Sequence, residues 1–174
     1  MSATVRPRRA ADLPGLETLL AEQQPRTAYP LRWPLPFPVE DFLVRPSEEA
    51  AWVVEVDGSV AGHVAVMAPD DELGPRFVDL LGTDRLALVS VLFVGLGHGG
   101  QGLGGLLLDT AVAAIRESGR LPALDVVPTH ARAVGLYRSR GWREAGQLRP
   151  SWLAPDRPAL LVMALDPPCG IVQP

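Results

Sequence analysis

The sequence predicts one α/β domain built on a mixed sheet. Its segments read in the order β-α-loop-β-β-β-α-β-α-β-β, with no internal repeat. A hairpin, rather than a βαβ unit, precedes a glycine-rich turn from strand to helix. The length of 174 residues suits a single domain with a substantial core.

Thr4-Val5-Arg6 reads as a short first strand. Asp12 reads as the N-cap of a helix whose apolar face is Leu13, Leu16, Leu19 and Leu20. Between Gln24 and Pro46, the residues Pro25, Pro30, Pro34, Pro36, Pro38 and Pro46 exclude long regular elements and leave room for a short helix over Val39 to Val44. Trp33, Phe37 and Phe42 keep this stretch from being a solvated linker. It reads either as a surface loop held down by aromatics or as a wall on the substrate side.

Ala51 to Val56 and Val60 to Met67 are β-rich runs joined by the hairpin signal Asp57-Gly58-Ser59. A short helix is expected around Pro75 to Leu81. Leu86 to Val94 is apolar at eight of nine positions and too short for a buried helix, so it reads as a buried strand. Glycines at 95, 97, 99, 100, 102, 104 and 105 follow. A helix then runs to about Ser118, with Leu103, Leu106, Leu107, Ala111, Ala114 and Ile115 as its apolar stripe and Gly119 as its stop. Leu121 to Val127 is the next strand. Thr129 is expected to cap a helix reaching about Arg140, ended by Gly141. Trp142 to Leu148 and Ala159 to Leu165 are the last strands, and Pro167 onward reads as a tail.

Composition narrows the function classes. With 47% hydrophobic and 21% charged residues the chain is that of a compact protein, and no apolar run approaches the roughly 20 residues that span a bilayer. The polar start, Met1-Ser2-Ala3-Thr4-Val5-Arg6, shows no secretory leader, and the single Cys169 cannot form an intramolecular disulfide. A cytoplasmic setting and no membrane association are therefore expected. A net charge of −4 gives no basic face for nucleic acid. Three histidines (His63, His98 and His130) and one cysteine in the tail do not suggest a closed zinc site, so no metal is expected.

The glycine run carries the chemistry. The first amides of a helix lack intrahelical acceptors and the helix dipole favours negative charge there. Glycines let the backbone approach a phosphate closely and adopt positive φ. Gly95-Gly97-Gly100 and Gly100-Gly102-Gly105 both satisfy G-x-G-x-x-G, and Asp125 lies roughly 20 residues beyond, as a dinucleotide fold would want. That reading fails on context, because the segments before the turn form a hairpin and too little chain follows Asp125 for further βαβ units. A Walker loop is excluded because the chain contains no lysine.

The order of segments around the glycines resembles the GNAT superfamily of N-acetyltransferases. Four blocks match in order: the first strand and helix, the hairpin Val54 to Met67, the strand-turn-helix Leu86 to Ser118, and Leu124 to Trp142. The last is the most specific. Against the family's L-x-V-x-x-x-N-x-x-A-x-x-L-Y-x-x-x-G-F, this chain places Leu124, Val126, His130, Ala133, Leu136, Tyr137, Gly141 and Trp142. The resemblance implies one domain over residues 1–166, with 167–174 as a tail. Its central, mostly antiparallel sheet would be splayed at the cofactor site and flanked by helices.

The resemblance also implies the reaction. An acetyl group would pass from acetyl-CoA to a primary amine by direct attack on the thioester, with no covalent enzyme intermediate. The backbone of Leu92, Phe93 and Val94 would pair with the pantetheine arm, and the Leu92 amide would take the thioester oxygen. Gly99, Gly100, Gln101, Gly102, Leu103 and Gly104 would hold the pyrophosphate, with His130 touching the cofactor where relatives carry Asn. Tyr137 stands where the family places the acid that protonates the thiolate, although a core aromatic is the competing reading.

Besides His130 in place of Asn, two departures matter. Gly99 stands where Gln or Arg is usual, which leaves backbone amides to bind the pyrophosphate. Many relatives carry Glu on the strand before the turn, but this strand offers Leu88 and Ser90. Ser90, able to orient a water, is the residue named for the base side. His63, His98, Asp84, Glu40 and Asp41 are the other titratable candidates. Two further readings stay open: a non-catalytic acetyl-CoA-binding module, and a transferase for a longer acyl-CoA. Partners expected are acetyl-CoA and an amine, with a homodimer left open. Having no lysine, the protein has no lysine side chain of its own to acetylate.

Overall fold

The computed structural model describes residues 2–168. Cys169 and most of the expected tail lie outside the described residues. Seven strands, β1 (Ala3–Pro7), β2 (Glu48–Val56), β3 (Ser59–Met67), β4 (Leu86–Val94), β5 (Leu121–Val126), β6 (Arg143–Leu148) and β7 (Leu160–Ala164), form one mixed sheet in the order β1-β2-β3-β4-β5-β7-β6. The chain gathers into two compact units, one holding the chain up to Ala68 together with Val89–Ala114, the other Pro69–Leu88 and the chain from Ile115 onward. Among the described residues no helix is long and apolar enough to cross a membrane.

In the first unit, β1 (Ala3–Pro7) pairs antiparallel with β2 (Glu48–Val56), from Ala3 opposite Val56 to Pro7 opposite Trp52. β2 turns into β3 (Ser59–Met67) through Asp57 and Gly58, whose φ values of 49° and 82° are both positive. That is the turn whose twist suits a two-residue hairpin, as the Asp-Gly pair predicts. Helix α1 (Leu13–Thr27) packs on β3 and buries Leu16 and Leu20 completely.

Asp12 occupies the N-cap position of α1, but its carboxylate does not cap the helix. It accepts two bonds of 2.8 Å from the Arg6 guanidinium and one of 2.7 Å from the Arg9 amide. Arg6 also donates to Glu55, so the start of α1 is fixed to β1 and β2 by charge. The Arg6 bonds hold Asp12 below the usual carboxylate range.

Helix α1 is longer than its prolines predict, continuing through Pro25 to Thr27. A proline in the last turn removes one ladder bond near the end of the helix, where the cost is least. The amides of Gln23 and Gln24 donate to the carbonyls of Tyr29 and Pro30, which fastens the proline-rich loop to the helix. The loop then enters α2 (Val39–Leu43). Phe42 is buried and meets Tyr29 edge-on, whereas Phe37 is 41% exposed. Only part of the aromatic set holds the loop down.

Gly62 marks a close approach in this unit. A Cβ at Gly62 would lie 2.8 Å from the Phe93 carbonyl oxygen and 3.2 Å from side-chain atoms of both Leu107 and Val54. Gly62→Ala is therefore expected to destabilise the protein by about 1–3 kcal/mol, as overpacking does. Denaturant unfolding checks this, and an unchanged midpoint would show that β3 moves aside freely.

The second unit contains α3 (Gly74–Leu81), β5 (Leu121–Val126), α5 (Ala131–Ser139), β6 (Arg143–Leu148) and β7 (Leu160–Ala164). β5 pairs in parallel with the beginning of β4 (Leu86–Val94), Leu86 opposite Leu121 to Leu88 opposite Ala123. On its other side it pairs antiparallel with β7, which pairs antiparallel with β6. Phe77, Leu124, Leu148, Leu160 and Met163 form the core of this unit, and α3 packs on β6.

Helix α4 (Leu103–Glu117) buries Leu103, Leu107, Leu108, Ala111, Val112 and Ile115. Leu106 is instead 41% exposed. The stripe is thus rotated from the expected one: positions 107/108, 111/112 and 115 face inward as consecutive turns of a helix.

Candidate active site

The last part of β4 and the glycine turn belong to the first unit. Along β4, Val89, Val91 and Phe93 are buried, while Ser90, Leu92 and Val94 on the alternate face are half-buried. The alternation conceals an irregularity. Val91 has φ 49°, inside the strand. A left-handed conformation is a genuine outlier for a β-branched residue and costs on the order of 1–3 kcal/mol. Such strain persists only where the surroundings over-determine it.

Here the surroundings include His63 on β3, whose Nδ1 lies 2.8 Å from the Val91 carbonyl oxygen. His63 is fully buried, and its ring lies 5.8 Å from that of Phe93. Its other nitrogen, Nε2, is 3.1 Å from Arg8 Nη1. A carbonyl only accepts and a guanidinium only donates, so the neutral ring carries its proton on Nδ1. Burial pushes His63 down to about 4; the Arg8 charge acts in the same direction and the Val91 bond opposes it. Arg8 is held in turn by Glu48 at 2.6 and 2.9 Å and by the Leu43 carbonyl at 3.1 Å.

A pH dependence follows. An unfolded histidine takes up its proton near pH 6.5, whereas the folded one stays neutral to about pH 4. As pH falls through this window the unfolded state binds more protons, so stability is lost. His63 should account for about 3 kcal/mol of that loss by pH 4 at 1.36 kcal/mol per pKa unit. Unfolding free energies of the wild type and His63→Gln between pH 7 and pH 4 test this, and parallel curves would refute it.

After β4 the chain makes a short 3-10 turn at Leu96–His98 and reaches Gly99. Gly100 and Gly102 both have φ 77°, and a Cβ at either would meet nothing within 4 Å. The Leu106 amide donates to the Gly102 carbonyl at 3.1 Å, so the amides of Leu103, Gly104 and Gly105 precede the helical ladder. Gly99, Gly100, Gln101 and Gly102 are exposed, Gly104 is half-buried and Leu103 is buried. No arginine lies between Gly95 and Gly105, so the turn presents backbone amides, the helix terminus and the side chains of His98 and Gln101 to an anion. Open space beside two left-handed glycines, next to unladdered amides at a helix start, suits the approach of an anion such as a pyrophosphate.

His130 and Tyr137 belong to the second unit. His130, not Thr129, is the N-cap residue of α5, and its side chain makes no capping bond. Tyr137 lies two turns along α5, is 7% exposed, and has its ring 5.8 Å from that of Trp142. The Trp142 amide donates to the Tyr137 carbonyl at 3.2 Å, which fixes the Tyr-x-x-x-Gly-Trp segment as one local structure. Gly141, with φ 83°, makes the reversal between them.

Among the candidates for the base, Glu40 and Asp41 are exposed in the first turn of α2, and Asp84 is exposed ahead of β4. Ser90 lies on the same face of β4 as Leu92. His98 is half-buried in the 3-10 turn. The coupling of His63 to β4 leaves no mark in the sequence, because alternation reads straight through Val91.

The chain matches the model of the acetyltransferase (GNAT) family over residues 14–142. No curated protein sequence matches it. Among solved structures it is similar to YncA of Salmonella typhimurium with its cofactor acetyl-CoA, at 20% identity and a TM-score of 0.69 over 95% of this chain and 94% of that one. It is also similar to the ribosomal-protein-alanine N-acetyltransferase of Brucella melitensis, at 22% identity and a TM-score of 0.68 over 93% of this chain and 98% of the other. An N-acetyltransferase from Staphylococcus aureus gives 16% identity and a TM-score of 0.69 over 94% and 97%. These likenesses extend over nearly the whole fold, and the family model covers the hairpin, the glycine turn and the Tyr-x-x-x-Gly-Trp segment together: the chain belongs to the acetyltransferase (GNAT) family.

Proposed function

We propose that the protein transfers an acetyl group from acetyl-CoA to a primary amine by direct attack on the thioester. The observation that carries this reading is the left-handed pair Gly100 and Gly102, which leads from the short turn after β4 into the start of α4. In the proposal the amides from Gly99 to Gly104 hold the pyrophosphate and the Leu92–Val94 backbone holds the pantetheine arm. His130 touches the cofactor from the start of α5. The Leu92 amide takes the charge that develops on the thioester oxygen.

The amine nitrogen forms the new C–N bond as the C–S bond breaks. The leaving sulfur takes its proton from Tyr137, and the amine's proton leaves through water oriented by Ser90. The functional domain is residues 1–166, and the setting is cytoplasmic, supported by the single cysteine.

Thermal shift with acetyl-CoA and CoA, followed by thiol release with an amine panel, tests the reading. The panel should include a peptide with N-terminal alanine, since the Brucella melitensis neighbour acts on a ribosomal-protein alanine. Stabilisation by acetyl-CoA with thiol release on at least one amine is expected. Stabilisation without turnover would favour a binding module, and turnover with longer acyl-CoA alone would move the donor assignment.

A further inference from the structure

We propose that His63 is a positioning residue that sets the direction of the Leu92 amide by holding the other end of the same peptide group. This inference rests on the proposed role of that amide. The carbonyl of Val91 and the N–H of Leu92 belong to one planar trans peptide, in which C=O and N–H point in opposite directions. His63 Nδ1 donates to that carbonyl at 2.8 Å from inside β3. The Leu92 N–H therefore points away from His63.

Three features make the bond directional rather than incidental. Val91 at φ 49° is strained in a β-branched residue, so its peptide plane does not hold itself. The imidazole has neighbours at two places, Arg8 at Nε2 and the tilted Phe93 ring with its centroid 5.8 Å away. Arg8 is fixed by Glu48 and by the Leu43 carbonyl, so a line of bonds runs from Glu48 through Arg8 and His63 to the Val91 carbonyl. Gly62, beside His63, lets β3 approach the Phe93 carbonyl closely. A donor on the carbonyl oxygen also polarises the peptide and strengthens its N–H as a donor.

His63→Phe keeps an aromatic ring beside Phe93 and removes the donor, whereas His63→Gln can still donate to Val91 and accept from Arg8. In His63→Phe with native circular dichroism, hydrogen exchange at the Leu92 amide should accelerate and its NMR shift should move. The kcat should fall at least about tenfold, short of the loss of a whole oxyanion donor, while KM for acetyl-CoA changes little. His63→Gln should restore both. Unchanged Leu92 exchange and shift in folded His63→Phe would overturn the proposal. Altered exchange with unchanged kcat would support the hold of His63 on the peptide and instead overturn the role given to the Leu92 amide. Imidazole nitrogen NMR of the wild-type protein provides a check independent of folding: a proton on Nδ1 at pH 7 is expected, and one on Nε2 would overturn the proposal.

Discussion

Tyr137→Phe is expected to lower kcat by about 100- to 10,000-fold, the range that a positioned proton donor contributes. A phenol, with an ordinary pKa of about 10, is protonated at neutral pH and can donate to a departing thiolate whose ordinary pKa is near 8.5. The substitution keeps the ring against Trp142 and the buried place of the residue on α5. Losing one hydroxyl hydrogen bond costs about 1 kcal/mol, which is about 2–4 °C of melting temperature for a protein of this size. Acetyl-CoA affinity should be nearly unchanged. A full-rate Tyr137→Phe protein would remove the acid role and leave water as the proton donor. A protein unfolded by the substitution would return Tyr137 to the core.

The residues that announce the fold are those whose local chemistry acts over a few positions. Asp57-Gly58 specifies a turn with two positive φ values, and the structure has them. Gly119 and Gly141 stop helices at φ 72° and 83°, the left-handed conformation that often ends a helix and that glycine adopts without strain. Leu86 to Val94 is too apolar and too short to be anything but a buried strand, and β4 has those bounds.

What the sequence conceals depends on partners distant along the chain. Pro25 argues against a helix locally, yet Gln23 and Gln24 fasten the following carbonyls and α1 continues to Thr27. Leu106 and Leu108 are equally apolar, and only the packing against other elements decides which is buried. Thr129 is the better intrinsic cap, but the N-cap of α5 falls one residue later, at His130.

The site divides along the same line. The left-handed turn at Gly100 and Gly102 is legible because glycine itself is the signal for positive φ. The kink at Val91 is not, since a valine in a strand-like run carries no mark of a left-handed conformation. The side chain that meets the Val91 carbonyl is His63, 28 residues earlier, and that bond forms only when β3 and β4 lie side by side.

Gly102→Val is expected to abolish measurable acetyl-CoA binding while leaving the fold recognisable. Gly102 has φ 77°, a region that a β-branched side chain strongly disfavours. A Cβ there meets nothing within 4 Å, so the protein itself does not clash. The new side chain would project into the open side of the turn and rotate the amides that precede the ladder of α4. Each charge-assisted hydrogen bond lost is worth about 1.5–3 kcal/mol, so losing two weakens binding by at least about a hundredfold at 1.4 kcal/mol per decade. Gly97 supplies the control, because it lies in the same glycine run, also faces open space and has no positive φ. Gly97→Ala should therefore bind acetyl-CoA almost as the wild type does. Calorimetric titration of the three proteins, with circular dichroism to confirm folding, separates the two substitutions. Normal binding by folded Gly102→Val would show that the pyrophosphate is not held by this turn.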